Sequence, residues 1–198
     1  MFRFIESVKV EDQKIFLMEY HQKRVNDTFK HFKKENPPDL LKISRELQLY
    51  GNGLFKFRVV YDLDGNYTGE IQAYTAPNFI DFQLIDATDF KYNFKYENRQ
   101  FLNELKSKAI TDEIIIVQNE NITDTSFSNL IFLKNEKWFT PSTFLLNGVQ
   151  RQFLLKKKII KETPITVQNL KTFSHFRMIN ALNDMNSGAI YPIEKILE

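Results

Sequence analysis

The sequence predicts a mixed α+β fold divided into two lobes. Residues 1–75 show strand and helix patterns in the order β-β-α-α-β-β. The segment "PNFID", residues 77–81, is the best candidate for a linker, and a second group of strands and helices follows it. We therefore expect a small N-terminal lobe over residues 1–76 and a larger C-terminal lobe over residues 82–198.

The N-terminal lobe is predicted to begin with two strands. Apolar and polar residues alternate over residues 2–10, and "EDQKIFLM" after a short polar turn is interpreted as the second strand. Residues 19–34 place apolar side chains at helical spacing, and a further helix follows the two prolines of "ENPPD" and ends near Gly51. The Asp-Gly turn of "LDGN" then predicts a hairpin between "LFKFRVVYD" and "GEIQAYTA".

The C-terminal lobe begins with "FQLIDA", and a helix is predicted from Lys95 to about Lys108. The later predicted elements are strands over residues 113–118, 128–134 and 136–141, a helix over 148–158, an edge strand over 161–166, a short helix over 167–174 and a last core strand over 175–182.

Composition excludes several classes of protein. Hydrophobic residues make up 42% of the chain and charged residues 26%, as in soluble globular proteins, and the 19 phenylalanines predict an aromatic-rich core. A net charge of +2 is too small to indicate a nucleic-acid or membrane surface. The absence of cysteine excludes disulfides, thiolate metal sites and a cysteine nucleophile. Without a signal peptide or a long apolar run, we expect a soluble cytoplasmic protein.

Lys95 opens the segment "KYENRQFLNELK" and is the first candidate for chemistry. Most lysines are solvated surface charges, and a lysine in the first turn of a helix can be interpreted in the same way. A cation at this end of a helix nevertheless opposes the helix dipole, so helix formation does not explain the residue. The alternative is a reactive lysine, which can act as a base or form an imine with an aldehyde.

The surroundings of Lys95 favour the second interpretation. Four segments, in order, resemble motifs of the class IV aminotransferases, which are pyridoxal-phosphate enzymes that include branched-chain aminotransferases, D-amino-acid aminotransferases and aminodeoxychorismate lyases. The segments are "FIESVKVEDQKIFLMEYHQKR" (Phe-x-Glu, then His-x-x-Arg), "KYENR" (Lys-x-x-Asn-Arg), "DEIIIVQNENITDTSFSNLIF" (an acid and, five residues on, an asparagine) and "WFTPSTFLLNGVQRQFLL" (a phosphate turn). The resemblance extends from Phe2 to about Pro192.

The resemblance implies a two-lobe pyridoxal-phosphate fold of type IV, similar to D-amino-acid aminotransferase, with pyridoxal 5'-phosphate as the cofactor. The family has further residues before the Phe-x-Glu strand, so we expect a shortened N-terminal lobe here. Lys95 matches the Schiff-base lysine and would be carried by the C-terminal lobe. Arg24 matches the arginine that binds the cofactor phosphate, which suits the planar fork of a guanidinium. His21 is expected to be structural.

Other cofactor-binding residues are implied in the C-terminal lobe. Asp124 matches the acid that pairs with the ring nitrogen, where the family usually has glutamate. The backbone amides of Val149 and Gln150 would bind phosphate at a helix N-terminus. Gln150 replaces the usual threonine, and Ala181 stands where a serine or threonine is frequent, so phosphate binding is expected to depend more on backbone amides and on Arg24.

Three cations are candidates for contact with a substrate carboxylate. Arg58 and Lys9 match positions that face the substrate in the family, and Arg99 belongs to the Lys-x-x-Asn-Arg motif. Each could equally be a surface charge. The resemblance also implies a homodimer and a small amino-acid-like substrate.

Three functions are compatible with these residues. The first is a pyridoxal-phosphate enzyme that removes a Cα proton, either as an aminotransferase or as a 4-amino-4-deoxychorismate lyase, with "KYENR" favouring the lyase. The second is a catalytically degenerate member that binds pyridoxal phosphate or another phosphate ligand without turnover, suggested by the residues at 124, 150 and 181. The third is an unrelated α+β interaction domain with chance motif matches.

Overall fold

The chain divides into two compact units. The structure, a computed structural model, describes residues 2–47 and 51–197. The first unit comprises Met1–Thr75 together with Phe94–Asn98, and the second comprises Ala76–Asn93 and Arg99–Glu198. Within the described residues, no helix is long and apolar enough to cross a membrane.

The first unit contains a four-stranded antiparallel sheet in the order β2-β1-β3-β4. Its strands are β1 (Arg3–Glu11), β2 (Lys14–Ile15), β3 (Leu54–Asp62) and β4 (Tyr67–Ala73). The second strand is much shorter than predicted. Asp12 and Gln13 adopt positive φ in a tight turn, and Leu17 at φ 53° already leads into a helix.

Two helices follow in the first unit, α1 (Met18–His31) and α2 (Leu40–Glu46). The Asp39 side chain caps α2 by accepting from the backbone N–H of Lys42 over 3.0 Å. The predicted end of this helix near Gly51 lies beyond residues 48–50, which are outside the described residues. Both helices contribute to an apolar core with β1 and β3, centred on Phe4, Val8, Val25, Phe29, Leu40, Ile43 and Phe57.

Residues 94–98 extend this sheet instead of starting a helix, which corrects the helix predicted from Lys95. The backbone N–H of Ile5 donates to the Lys95 carbonyl over 2.9 Å, and Tyr96 forms an antiparallel bridge with Phe4. The Tyr96 ring also stacks on Phe4, at 5.4 Å between centroids. Lys95 was expected in the C-terminal lobe, but these contacts place it in the first unit.

The second unit contains a mixed sheet in the order β10-β9-β8-β7-β6-β5-β13, with β11 also paired to β8 and β12 to β11. Its strands are β5 (Phe82–Asp86), β6 (Glu113–Gln118), β7 (Asn121–Thr125), β8 (Asn129–Lys134), β9 (Lys137–Pro141), β10 (Ile160–Thr163), β11 (His175–Ile179), β12 (Tyr191–Pro192) and β13 (Ile196–Leu197). Its helices are α3 (Gln100–Ser107) and α4 (Val149–Lys156), with 3-10 turns at Leu170–Thr172 and Ile193–Lys195.

Strand β7 is the main element that sequence interpretation missed. No strand is predicted between residues 118 and 128, where most side chains are polar, but Ile122, Thr123, Asp124 and Thr125 are all buried. The polar side chains of β7 are satisfied inside the protein, as Thr123 shows by donating to the Ile116 carbonyl over 2.8 Å. The strand lies between β6 and β8, so tertiary hydrogen bonds replace water around its polar groups.

Candidate active site

The first unit contains a buried group of three polar side chains, Glu6, His21 and Arg24. Glu6 lies on β1 and is fully buried, and α1 places His21 and Arg24 three residues apart on the face that meets it. Arg24 donates from Nε to Glu6 Oε1 over 2.7 Å and from Nη2 to Oε2 over 2.5 Å. His21 Nδ1 lies 2.5 Å from Glu6 Oε2. One carboxylate therefore orients both partners.

The charges of this group follow from its burial and pairing. Burial alone would raise the pKa of Glu6, but the charge of Arg24 and the hydrogen bonds from Arg24 and His21 outweigh it and hold that pKa far below its usual range. Burial lowers the pKa of His21 despite its Glu6 partner. Glu6 is thus a carboxylate, and a neutral His21 donates to it from Nδ1. This agrees with the structural role expected for His21.

Lys95 is half-buried in the same unit. Its carbonyl is held by the Ile5 N–H, one residue before Glu6 on the strand. After burial and the charge of Arg24, the positive charge of Lys95 makes a further, smaller contribution to lowering the pKa of His21. The first unit therefore contains both Lys95 and Arg24, two residues predicted from separate motifs.

The predicted substrate cations Lys9 and Arg58 already have acidic partners. Arg58 donates from Nη1 to Glu70 over 2.9 Å and from Nη2 to Glu97 over 3.3 Å. Lys9 is buried, pairs with Glu11 at 3.0 Å and lies over the ring of Phe16. Both cations belong to the face of β1 and β3 opposite Glu6, because side chains alternate along a strand and Arg58 pairs with Ser7.

In the second unit, Asp124 lies near the end of β7 with only 5% of its surface exposed. Its Oδ2 accepts from the backbone N–H groups of Leu146, over 2.9 Å, and Leu145, over 3.2 Å. Its Oδ1 accepts from the Asn129 side chain over 2.8 Å. A carboxylate has about four acceptor positions, so these three bonds leave one on Oδ1.

Asp124 is poised to change its charge near neutral pH. Burial raises the pKa of this carboxyl to about 7, although the donors from Leu146, Asn129 and Leu145 and the charge of Arg151 all oppose the rise. A partner that carries a proton or a positive charge would favour the ionised form.

Helix α4 begins as predicted, with a glycine before it. Gly148 is the N-cap, no side chain caps the helix, and the first intrahelical bond runs from the Gln152 N–H to the Gly148 carbonyl. The backbone N–H groups of Val149 and Gln150 therefore have no partner within the helix, which suits an anion. A Cβ atom on Gly148 would overlap with the Asn129 side chain, so only glycine fits there.

Ala181 lies in a turn after β11 that is organised by Asn180. The Asn180 side chain accepts from Leu182 and Asn183 N–H groups and donates to the Ser128 hydroxyl over 2.8 Å. Because Ser128 precedes Asn129, this turn is tied to the strand pair that carries Asp124. Ala181 itself can offer only its backbone.

Arg99 is the N-cap of α3, not a residue one turn into a helix from Lys95. Its Nη2 donates to the Ser126 carbonyl over 2.6 Å, in the loop after β7. This contact gives Arg99 a structural role in the second unit.

Sequence reasoning missed Glu97 and Arg151. Glu97 pairs with Arg3 at 3.2 Å as well as with Arg58, and its place inside "KYENR" was the available signal. Arg151 is 2% exposed and donates to Asn147 and to the Pro141 carbonyl, each over 3.0 Å, besides pairing with Glu162. The sequence alone does not distinguish a buried arginine at the third position after the helix cap from a surface arginine.

Comparisons with known proteins show which family this chain resembles. The family described as amino-transferase class IV matches residues 87–187. An uncharacterized protein of Haemophilus influenzae (strain ATCC 51907 / DSM 11121 / KW20 / Rd) is 31% identical over 191 residues, which is 93% of this chain and 100% of that one. A crystal structure from Haemophilus somnus 129pt, named as a candidate 4-amino-4-deoxychorismate lyase, is 31% identical with a TM-score of 0.87, covering 93% of this chain and 98% of that one.

A more distant structure has the same fold. It is an aminotransferase from Brucella abortus bound to the co-factor PLP, 16% identical with a TM-score of 0.72, covering 98% of this chain and 81% of that one. The fold is thus the α+β fold of class IV aminotransferases. The chain belongs to the class IV amino-transferase family. The predicted family, its fold and the expectation of an enzyme are confirmed at this level.

Proposed function

We propose that this chain is a pyridoxal-5'-phosphate-dependent enzyme that acts on a small amino-acid-like substrate through Lys95. The observation that carries the proposal is that Lys95 and Arg24 belong to one unit, in which buried Glu6 fixes the direction of the Arg24 guanidinium. A lysine amine can form an imine with an aldehyde, and an oriented guanidinium can bind a phosphate. Membership of the family supports the same roles.

Each unit contains residues whose chemistry fits the cofactor. In the first unit, Lys95 would hold its aldehyde and Arg24 its phosphate. In the second unit, the N–H groups of Val149 and Gln150 would bind phosphate, with the backbone at Ala181 as a further contact, and the remaining acceptor position on Asp124 Oδ1 would receive the ring N–H.

When bound, pyridoxal phosphate withdraws electrons from the substrate Cα, which makes the Cα proton easier to remove. The protein residues then divide the remaining work. The Lys95 amine would take the Cα proton of the bound substrate and could return it. Asp124 as a carboxylate would favour a protonated ring nitrogen. The proposed cations for a substrate carboxylate are Arg58, Lys9 and Arg99. The Nη2 group of Arg58 would release Glu97 and donate to the substrate carboxylate instead.

The first specific activity to test is that of a 4-amino-4-deoxychorismate lyase, which forms 4-aminobenzoate and pyruvate. The "KYENR" motif and the 31% identical Haemophilus somnus protein support it. Amino-group transfer is the second candidate, because the family description and the Brucella abortus structure name aminotransferases. A cytoplasmic homodimer remains part of the proposal, and sedimentation would determine the number of subunits.

The decisive experiment is a test of Lys95. Purified protein mixed with pyridoxal phosphate should develop a visible absorbance band, and borohydride should attach the cofactor covalently to the peptide that contains Lys95. Lys95→Ala should lose both signals, whereas Lys91→Ala, which changes an exposed lysine four residues earlier, should keep them. Cofactor attachment to another lysine would reject the assignment.

Turnover separates the activities. Incubation with aminodeoxychorismate should release 4-aminobenzoate if the chain is a lyase, and incubation with amino acids and keto acids should exchange amino groups if it is an aminotransferase. A protein that binds the cofactor on Lys95 but turns over neither set would be the degenerate member considered above.

A further inference from the structure

Most of the contacts of Asp124 are made with the turn that precedes α4. Two of its three bonds come from backbone N–H groups of that turn, at Leu145 and Leu146, and both end on Oδ2. The third comes from Asn129. A residue that served only a ligand would not need both oxygens to be engaged by the protein itself.

We call this segment, residues 145–148, the 145–148 turn. Hydrogen bonds hold each of its four residues. Asn129 relays the effect of Asp124, because its Nδ2 also donates to the Leu146 carbonyl over 2.8 Å and its Oδ1 accepts from the Gly148 N–H over 3.2 Å. Asn147 is held from the helix side, where Arg151 donates to its side chain and Gln152 to its carbonyl. The turn is therefore fixed by β7 and β8 on one side and by α4 on the other.

The direction of the N–H groups that open α4 depends on this turn. Gly148 is both the last residue of the 145–148 turn and the N-cap of α4, so a movement of the turn moves the N–H groups of Val149 and Gln150. No side chain caps the helix to fix them independently. Oriented N–H groups bind anions well only while they converge.

We propose that Asp124 is a positioning residue for phosphate recognition, acting through the 145–148 turn on the N–H groups that open α4. This inference rests on the proposed function and adds to it a second role for a residue assigned to the ring nitrogen alone. It also explains aspartate at a position where the family usually has glutamate. A carboxylate one methylene further from the strand would push against the two N–H groups of the turn, whose last residue, Gly148, is packed so closely on Asn129 that it could not carry a Cβ atom.

The test separates phosphate from ring. Dissociation constants for pyridoxal 5'-phosphate and for pyridoxal, which lacks the phosphate, are measured by absorbance for the wild type, Asp124→Asn and Asp124→Glu. The ratio of the two constants reports how much the phosphate contributes to binding. Comparing this ratio between the wild type and a variant is a double-mutant cycle, in which one change is the mutation and the other is removal of the phosphate. We expect the advantage of the phosphate to fall about tenfold or more in both variants, the equivalent of losing one charge-assisted hydrogen bond.

The matched control is Asp86→Asn. Asp86 is an exposed aspartate of the same unit whose carboxylate accepts from Thr88 in a local turn, so the same chemical change should leave the ratio unaltered. An equal loss of affinity for both ligands in Asp124→Asn would mean that Asp124 acts on the ring alone and would overturn the inference. A larger advantage of the phosphate in Asp124→Asn would mean that the charge of Asp124 repels the phosphate. That result would also overturn the inference.

A measurement on the wild type covers the case in which the variants do not fold. Amide hydrogen exchange should show Leu145 and Leu146 protected before any ligand is added, and Val149 and Gln150 protected only with pyridoxal 5'-phosphate and not with pyridoxal. Unprotected amides at Leu145 and Leu146, or equal protection of α4 by both ligands, would reject the positioning role. Failure of the wild type to bind either ligand would instead reject the proposed function.

Discussion

Glu6 and Arg24 form a two-bonded ion pair, in which a fully buried carboxylate accepts from both Nε and Nη2 of the guanidinium. The pair joins strand β1 to helix α1, and only 13% of the Arg24 side chain is exposed. The ion pair therefore fixes the orientation of the proposed phosphate ligand before any cofactor binds.

The first prediction concerns this pair. Glu6→Gln removes the charge that compensates Arg24 and leaves His21 without an anionic partner, so the free energy of unfolding should fall by about 3–5 kcal/mol, as when one member of a buried ion pair is removed. Urea denaturation measures the change. Glu70→Gln, which alters an exposed partner of Arg58, should cost no more than about 1 kcal/mol. Equal losses in the two variants would contradict the prediction.

The second prediction concerns pH. The pKa of Asp124 rises from 3.8 to about 7 on folding, so the folded state holds an extra proton between those values. Stability therefore decreases as the pH rises from about 4 to about 7 and does not change further above that range. Relative to Asp124→Asn, the wild type should lose at least about 1 kcal/mol across this window, since one unit of pKa corresponds to that energy. Parallel pH profiles for the two proteins would argue against a raised pKa.

The third prediction concerns Gly148. Gly148→Ala should lower both stability and affinity for pyridoxal phosphate, because the added Cβ overlaps with the Asn129 side chain. Gly188→Ala is the control. Nothing lies within 4 Å of a Cβ there, and its φ of +83° adds only strain of about 1–2 kcal/mol. If the stability loss of the combined Gly148→Ala/Asn129→Ala variant equalled the sum of the losses of the two single variants, the overlap would not be the cause.

The fourth prediction concerns substrate binding. Arg58→Ala should raise KM about tenfold or more for a carboxylate substrate, while kcat changes less, because a charge-assisted bond made in both ground and transition states is lost. Its stability should change by no more than about 1 kcal/mol, since its partners Glu70 and Glu97 are partly exposed. Steady-state kinetics with Lys56→Ala as the control tests this, and an unchanged KM would assign Arg58 to the sheet surface alone.

Much of the secondary structure could be predicted from local patterns. Strand β3, the start of α4 and the strand over residues 113–118 agree with the structure because hydrophobic alternation and glycine placement are local properties. Strand β7 could not be predicted, since its polar side chains become acceptable in the interior only through partners on other strands. The pattern around Lys95 predicts a helix start for a related reason. The strand residues with which this segment pairs, Phe4 and Ile5, are more than 85 residues away in sequence.

The sequence by itself determined the family and the identity of the residues proposed for chemistry, because spaced motifs preserve residue types without reference to distance. Only the tertiary structure decided what those residues touch. It placed Lys95 on the edge of β1 instead of on a helix, paired Arg24 with Glu6, and showed that Asp124 holds a backbone turn. These facts depend on burial and on hydrogen bonds between residues far apart in the chain, and no local pattern encodes either.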